Sequence, residues 1–144
     1  MKRLISFVLI LCTAVICIAS CSNKDENKDV NFGEILAGYS VTEIEEEDIS
    51  NYFFNFAYQR FYSDSLERPM LNSEDYKIKK ILTVEDGRLV IFDCSSSNNA
   101  KKLYKEFTKM IWERTYYKLT IKVEGKYLLH GDRELVSTVR EKIE

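Results

Sequence analysis

The chain has 144 residues, of which 45% are hydrophobic and 12% aromatic, and its formal net charge is −2. This length fits one domain plus an address segment, and five glycines and one proline exclude a low-complexity linker. If residues 1–20 are removed, 19 basic residues remain against 23 acidic ones, a net charge of −4. A mildly acidic domain is not suited to nucleic acid, because that binding depends on clustered Lys and Arg that neutralise phosphates.

The first twenty residues have the layout of a secretory signal peptide. A positive start, Met1 to Arg3, precedes the apolar segment LISFVLILCTAVICIAS, which ends in small residues. This segment is short for a membrane-spanning helix, which needs about 20 apolar residues. We therefore expect residues 1–20 to be cleaved as a signal peptide, and a permanent N-terminal anchor helix is the alternative.

The end of this segment, Ile18-Ala19-Ser20-Cys21, resembles the lipobox of bacterial lipoproteins, in which an aliphatic residue and two small residues precede a cysteine. The resemblance implies that a diacylglycerol is attached to the Cys21 sulfur and that a peptidase cleaves between Ser20 and Cys21. The mature chain would then have 124 of the 144 residues. Ser22, instead of Asp, after the cysteine resembles the pattern of lipoproteins that are not retained at the inner membrane of a two-membrane bacterium. The resemblance covers residues 1–21 only and implies nothing about the domain that follows.

The polar stretch after the cysteine separates this anchor from the folded part. Residues 22–29, SNKDENKD, carry no apolar side chain. We therefore expect a lipidated flexible tether over residues 21–37 and a single globular domain over residues 38–144.

Strands and helices alternate along this domain. A weakly alternating strand is predicted over residues 38–44, and a helix follows, because apolar residues recur at helical spacing at Ile49, Tyr52, Phe53, Phe56, Ala57 and Phe61. Residues 76–84 and 89–94 form a predicted hairpin around Asp86-Gly87. A second helix begins with Ser97 as its N-cap and extends to Ile111. A second hairpin, residues 117–130, turns at Glu124-Gly125, and Asp132 is the predicted N-cap of a last helix.

The resulting order, β-α-β-β-α-β-β-α, predicts an α+β fold. Its first six elements match the ferredoxin-like (split βαβ) order, an antiparallel sheet with helices packed on one face, and an extra strand and a C-terminal helix follow. A fold of this class does not by itself specify a function.

Cys94 and His130 are the only side chains of the predicted domain that suggest nucleophilic catalysis. Each is the single residue of its type in residues 38–144, and a cysteine activated by a histidine can act as a nucleophile. A thiol-dependent enzyme is therefore one alternative function. The simpler interpretation is structural: Cys94 ends an apolar strand and His130 precedes a turn.

Two polar segments are weaker candidates for ligand binding. The acidic run Glu45 to Asp48 has the oxygen ligands that calcium prefers but lacks the spaced Asp, Asn and Gly of a calcium loop. The segment DCSSSNN, Asp93 to Asn99, leads into a helix, where an anion can bind, but has no glycine to bring the backbone close. We therefore predict that neither binds a ligand, and we predict no cofactor and no metal site.

The most unusual segment is NYFFNFAYQRFY, residues 51–62. Beyond the apolar stripe already described, Phe54, Tyr58 and Tyr62 form a second stripe at positions i, i+4 and i+8. A helix with aromatic residues on more than one face is either buried between layers or presents a contact surface. These three residues are the candidate partner surface.

Together these features predict a lipoprotein held outside the cytoplasmic membrane by lipid on Cys21, in the outer membrane if the host has two membranes. We expect its domain to act by binding, as a small accessory module without catalysis, with a protein as candidate partner. A structural component of the cell envelope is the other alternative.

Overall fold

The computed structural model describes residues 28–62, 71–111 and 119–144. Within these ranges the chain forms four α-helices, α1 (Phe32–Ile35), α2 (Ile49–Ala57), α3 (Ser97–Ile111) and α4 (Arg133–Ile143). It also forms five strands, β1 (Val41–Glu43), β2 (Ile78–Val84), β3 (Leu89–Cys94), β4 (Leu119–Glu124) and β5 (Tyr127–Asp132). A π-helical turn at Tyr58–Tyr62 continues α2, and short 3₁₀-helices lie at Glu46–Asp48 and Ser73–Tyr76. Ser20 and Cys21 lie outside the described residues.

All five strands belong to one antiparallel sheet, in the order β1-β2-β3-β5-β4. The turn between β2 and β3 has positive φ angles of 50°, 53° and 83° at Glu85, Asp86 and Gly87, so the Asp-Gly pair marks a tight turn, as predicted. β3 lies in the middle of the sheet, as its apolar residues on both faces predict. Asp93 is the only residue of β3 that is not buried.

One face of the sheet is covered by α2 and α3, and we call it the α2/α3 face. Its core is largely aromatic, because five ring pairs have centroids 5.2–6.2 Å apart; these pairs are formed by Phe53, Phe56, Phe92 and Phe107. Helical spacing places the two α2 rings on the same side of the helix, where they meet the sheet.

The opposite face of the sheet is covered by α4 and α1, and we call it the α4 face. Its cluster joins Leu89, Ile91 and Leu129 of the sheet to Val136 and Val139 of α4. Because β3 and β5 carry apolar side chains on both faces, each face needs a layer of helix to exclude water.

The predicted fold class is confirmed: an α+β domain with an antiparallel sheet and a C-terminal helix. The two helices of the ferredoxin-like part, α2 and α3, share one face as expected, whereas the additional helix α4 lies on the other. The strand pairing differs from a split βαβ unit, in which two parallel strands joined by a helix have another strand between them. Here β1 and β2, which α2 connects, are direct antiparallel neighbours. β1 has only three residues, all exposed, and such a short strand occupies the edge of the sheet.

The folded unit begins earlier than the predicted boundary at Gly38. Leu36 is only 3% exposed, and Val30, Phe32 and Ile35 pack against the cluster on the α4 face. The sequence predicts residues 28–37 as part of the tether, because they extend from the polar stretch 22–29 to the first predicted strand at Gly38. Their apolar side chains instead complete the cover of a sheet face that α4 alone leaves open.

Candidate functional site

The second aromatic stripe of α2 is divided between surface and core. Phe54 is 42% exposed, and its ring stacks on that of Tyr58 with 5.6 Å between centroids and 25° between planes. Tyr58 is half-buried and packs against the core of the α2/α3 face. The side chain of Tyr62 lies outside the described part of the chain. The structure therefore brings Phe54 and Tyr58 together and leaves Phe54 on the surface.

The position of Phe54 follows from the helical period. Ile49, Phe53, Phe56 and Ala57 are the buried residues of α2, and Phe54 lies about 100° around the helix from Phe53, away from the sheet. Tyr58, four residues later, lies directly beside it. An exposed aromatic ring supported by a second ring offers a flat, apolar contact surface of the kind that protein interfaces favour.

Two residues of the acidic run line a groove beside this helix. The groove has a volume of 610 Å³, and Glu45 and Asp48 line it together with Asp86 of the β2–β3 turn and Arg60 of the π-helical turn. Among the described residues, no group of three or more His, Cys, Asp or Glu side chains is arranged to hold a metal ion. Because Glu45, Asp48 and Asp86 outnumber Arg60 among these lining residues, the groove is mainly acidic.

Cys94 and His130 are not brought together. His130 lies opposite Val90 in the β3–β5 pairing, and Cys94 lies four residues further along β3, which is about 13 Å at 3.3 Å per residue. Cys94 is 0% exposed, and burial, with the nearby charge of Asp93, raises the pKa of its thiol to about 12. Because the thiolate is the reactive form, we expect this thiol to be unreactive in the folded protein.

His130 itself is a neutral core residue. It is 3% exposed and packs edge-on against Phe56, with 5.2 Å between ring centroids. Burial, followed by the charge of Arg60, lowers the pKa of His130 to about 4. Its partner across the strand pair, Val90, and the ring of Phe56 both line the groove beside α2, whereas His130 lies behind them and is not a lining residue.

The Ser-rich segment before α3 caps the helix. The backbone N–H of Asn99 donates to Ser96 Oγ at 3.3 Å, and the side chain of Asn99 donates to Ser95 Oγ at 2.8 Å. The capping side chain thus belongs to Ser96, one residue before the predicted N-cap Ser97, because α3 already begins at Ser97.

The sequence analysis did not predict that Lys126 is buried. Lys126 is 6% exposed, and its Nζ lies 3.4 Å from Asp93 Oδ1 and also contacts Asp29 Oδ1. The hydrogen bond with Asp29 is the main cause that raises the pKa of Lys126. Burial raises the pKa of Asp93, although Lys126 opposes this shift.

Two sequence signals could have indicated this cluster. Asp93 is the single charged residue in the apolar strand β3, and a charge at such a position needs a partner. Lys126 directly follows the turn glycine Gly125 and precedes an apolar strand. Asp29, however, is 97 residues distant from Lys126 along the chain, and no local pattern relates them.

The described residues also contain no helix that is long and apolar enough to cross a membrane. Comparison with known proteins found no matching family model, no matching curated protein and no matching solved structure.

Proposed function

We propose that this protein is a lipid-anchored lipoprotein outside the cytoplasm and that its domain is a small binding module. The anchor is supported by the lipobox-like Ile18-Ala19-Ser20-Cys21 after an apolar segment. The binding role is supported by the exposed Phe54 ring stacked on Tyr58. This aromatic pair is the single observation that carries the proposal for the domain.

Lipid on Cys21 supplies the membrane attachment in this proposal. Each buried CH₂ contributes about 0.8 kcal/mol, so two or three acyl chains hold the protein firmly where one chain would exchange. The protein then faces the outside of the cytoplasmic membrane, or occupies the outer membrane of a two-membrane host.

Phe54 supplies part of the binding energy. An aromatic side chain buries about 150–250 Å², so the exposed 42% of Phe54 corresponds to about 80 Å². At about 25 cal/mol per Å², covering this area contributes about 2 kcal/mol. Its loss would weaken binding about 30-fold, since 1.4 kcal/mol is a factor of ten.

Catalysis through Cys94 and His130 has no support in the geometry. The thiol is sealed in the core with a pKa raised to about 12, and the register keeps the imidazole about 13 Å away along the strands. We therefore propose a non-catalytic role.

The anchor is tested by Cys21→Ala in cells supplied with labelled palmitate. The wild-type protein should incorporate label and migrate as a processed form, whereas the variant should remain an unlabelled precursor. Label that persists on Cys21→Ala would show that the acyl chain is attached elsewhere and would refute the anchor.

The contact surface is tested by crosslinking in cells followed by mass spectrometry. Phe54→Ser should lose a defined crosslinked partner. Val41→Ser is the matched control, because Val41 is 41% exposed but pairs with Val84, whose side chain belongs to the α4 face. If Val41→Ser and Phe54→Ser lose the partner equally, or if neither does, Phe54 is not the contact surface. A crosslinking pattern of many envelope components without a defined partner would instead favour a structural role.

A further inference from the structure

The N-terminal segment is clamped at one end of the sheet. Tyr127 Oη accepts a hydrogen bond from the Val30 N–H at 2.9 Å and donates one to Lys28 O at 3.4 Å. The Phe32 ring meets the Tyr127 ring edge-on, with 5.0 Å between centroids. We call residues 28–36 the strap and these contacts, together with the Lys126–Asp29 ion pair, the clamp.

The clamp is built on two buried residues at the β4–β5 turn. Lys126 and Tyr127 are 6% and 2% exposed; Lys126 is the last residue of the turn and Tyr127 is the first residue of β5. Further along the strap, Lys142 Nζ donates to Ile35 O at 3.0 Å, and Leu36 is buried in the cluster of the α4 face. The chain therefore leaves the domain toward its N-terminus at the β4–β5 turn end.

We infer that the clamp makes the β4–β5 turn end of the sheet the membrane-proximal end of the domain. This inference rests on the proposed lipid anchor at Cys21. Seven peptide units separate Cys21 from Lys28, and whatever their conformation they span at most about 25 Å. A flexible chain of seven residues spans about 15 Å on average, which is less than the roughly 20 Å over which the strands run from this end. The inference therefore places the β2–β3 turn and the acidic groove beside α2 on the side away from the bilayer.

The proximal end therefore faces a lipid surface, and the clamp favours this orientation because it shortens the chain between the anchor and the domain. Had the domain begun at Gly38, seventeen peptide units would have allowed a reach of about 60 Å, and no end would have been favoured. The clamp shortens this reach by more than half.

Two positions on α4 can report the orientation. Glu134 and Glu141 are both exposed and lie two helical turns apart on the same side, about 10 Å along the axis. Helix α4 starts at the β2–β3 turn end and finishes at Ile143, which lines a cavity together with Lys28 and Gly125 at the clamp end. Glu134→Cys and Glu141→Cys therefore form a matched pair.

The full chain of each variant is purified from bacterial membranes, labelled with a maleimide fluorophore and placed in phosphatidylcholine vesicles that contain an acceptor-labelled lipid. Cys94 is buried and should not react in the folded protein, and an acylated Cys21 would be blocked. Energy transfer should place position 141 nearer the bilayer than position 134, by up to about 10 Å. Equal distances, or a shorter distance at 134, would overturn the inference.

One insertion on either side of the clamp isolates its role. About fifteen Gly and Ser residues between Lys24 and Asp25 add about 50 Å of reach and should abolish the difference between the two positions. The same insertion between Ala37 and Gly38 lies beyond the clamp and should leave the difference intact. If both insertions abolish it, the clamp does not hold the strap; if neither does, the anchor at Cys21 does not set the orientation. If Cys21 reacts with maleimide and the protein incorporates no labelled palmitate, the proposed anchor is wrong, and the inferred orientation is then wrong as well.

Discussion

The buried imidazole of His130 should make the domain acid-sensitive. The unfolded chain has a histidine pKa of about 6.5, whereas burial lowers the pKa of His130 in the folded protein to about 4. Between these values the unfolded state binds more protons, so the free energy of unfolding falls as the pH falls. The stabilisation is complete above pH 6.5 and is lost as the pH falls toward 4.

The size of this effect follows from the two pKa values. A shift of one unit corresponds to 1.36 kcal/mol, so the change between pH 7 and pH 4 is about 3 kcal/mol. His130 is only 3% exposed, and solvent screening therefore does not reduce this figure much. It is a large part of the 5–15 kcal/mol that stabilises a typical domain.

Chemical unfolding of the full chain in mild detergent at pH 7 and pH 4 measures the effect. His130→Gln and His130→Phe cannot titrate, so each should lose about 3 kcal/mol less between these pH values than the wild type, whatever its stability at pH 7. Comparison with the wild type removes the contribution of the carboxyl groups, which titrate in all three proteins.

A direct measurement is also available because the chain has one histidine. With an affinity tag that contains no histidine, one imidazole resonance appears in the NMR spectrum, and its midpoint in the folded protein should lie near pH 4. A midpoint near 6.5, or an unchanged pH dependence in both variants, would refute the burial argument.

Three further outcomes are expected. Lys126→Met should lower the free energy of unfolding at pH 7 by about 2–3 kcal/mol, because Asp93 keeps a partly buried charge without its cation. The added substitution Asp93→Leu should recover most of this loss in denaturant titrations, and equal stability of the single and double variants would contradict the reasoning. Gly131→Ala should prevent stable folding, because an added Cβ would lie 2.1 Å from the carbonyl oxygen of Arg88. Circular dichroism would measure this loss of folding. A folded variant of wild-type stability would show that β3 and β5 can move apart to accept the methyl group. Cys94 should react with a thiol reagent only after denaturant is added, and rapid labelling of the native chain at this residue would mean that the core is open.

Local patterns predicted the five strands and the three longer helices, but not the short helix α1. The apolar period of α2 and α3, the Asp-Gly turn and the two-sided apolar strand β3 each depend on residues that are close in sequence. The period also gave the two stripes of α2, although it left open whether Phe54 lay in the core or at the surface. That choice depends on which layer covers the far side of the helix, and among the described residues no layer covers Phe54 there.

The contacts between residues that are distant in sequence were decided by the tertiary structure alone. The register of β3 and β5 separates Cys94 from His130, because two positions at strand ends meet only if the pairing aligns them. The cluster of Lys126 with Asp29 joins residues 97 positions apart, and α4 takes the second sheet face because α2 and α3 already fill the first. The sequence by itself determined the five strands, the three longer helices and the lipobox-like segment at Cys21, since these depend on neighbouring residues. The clamp and the exposure of Phe54 depend on which distant surfaces fit together, and only the folded chain defines those surfaces.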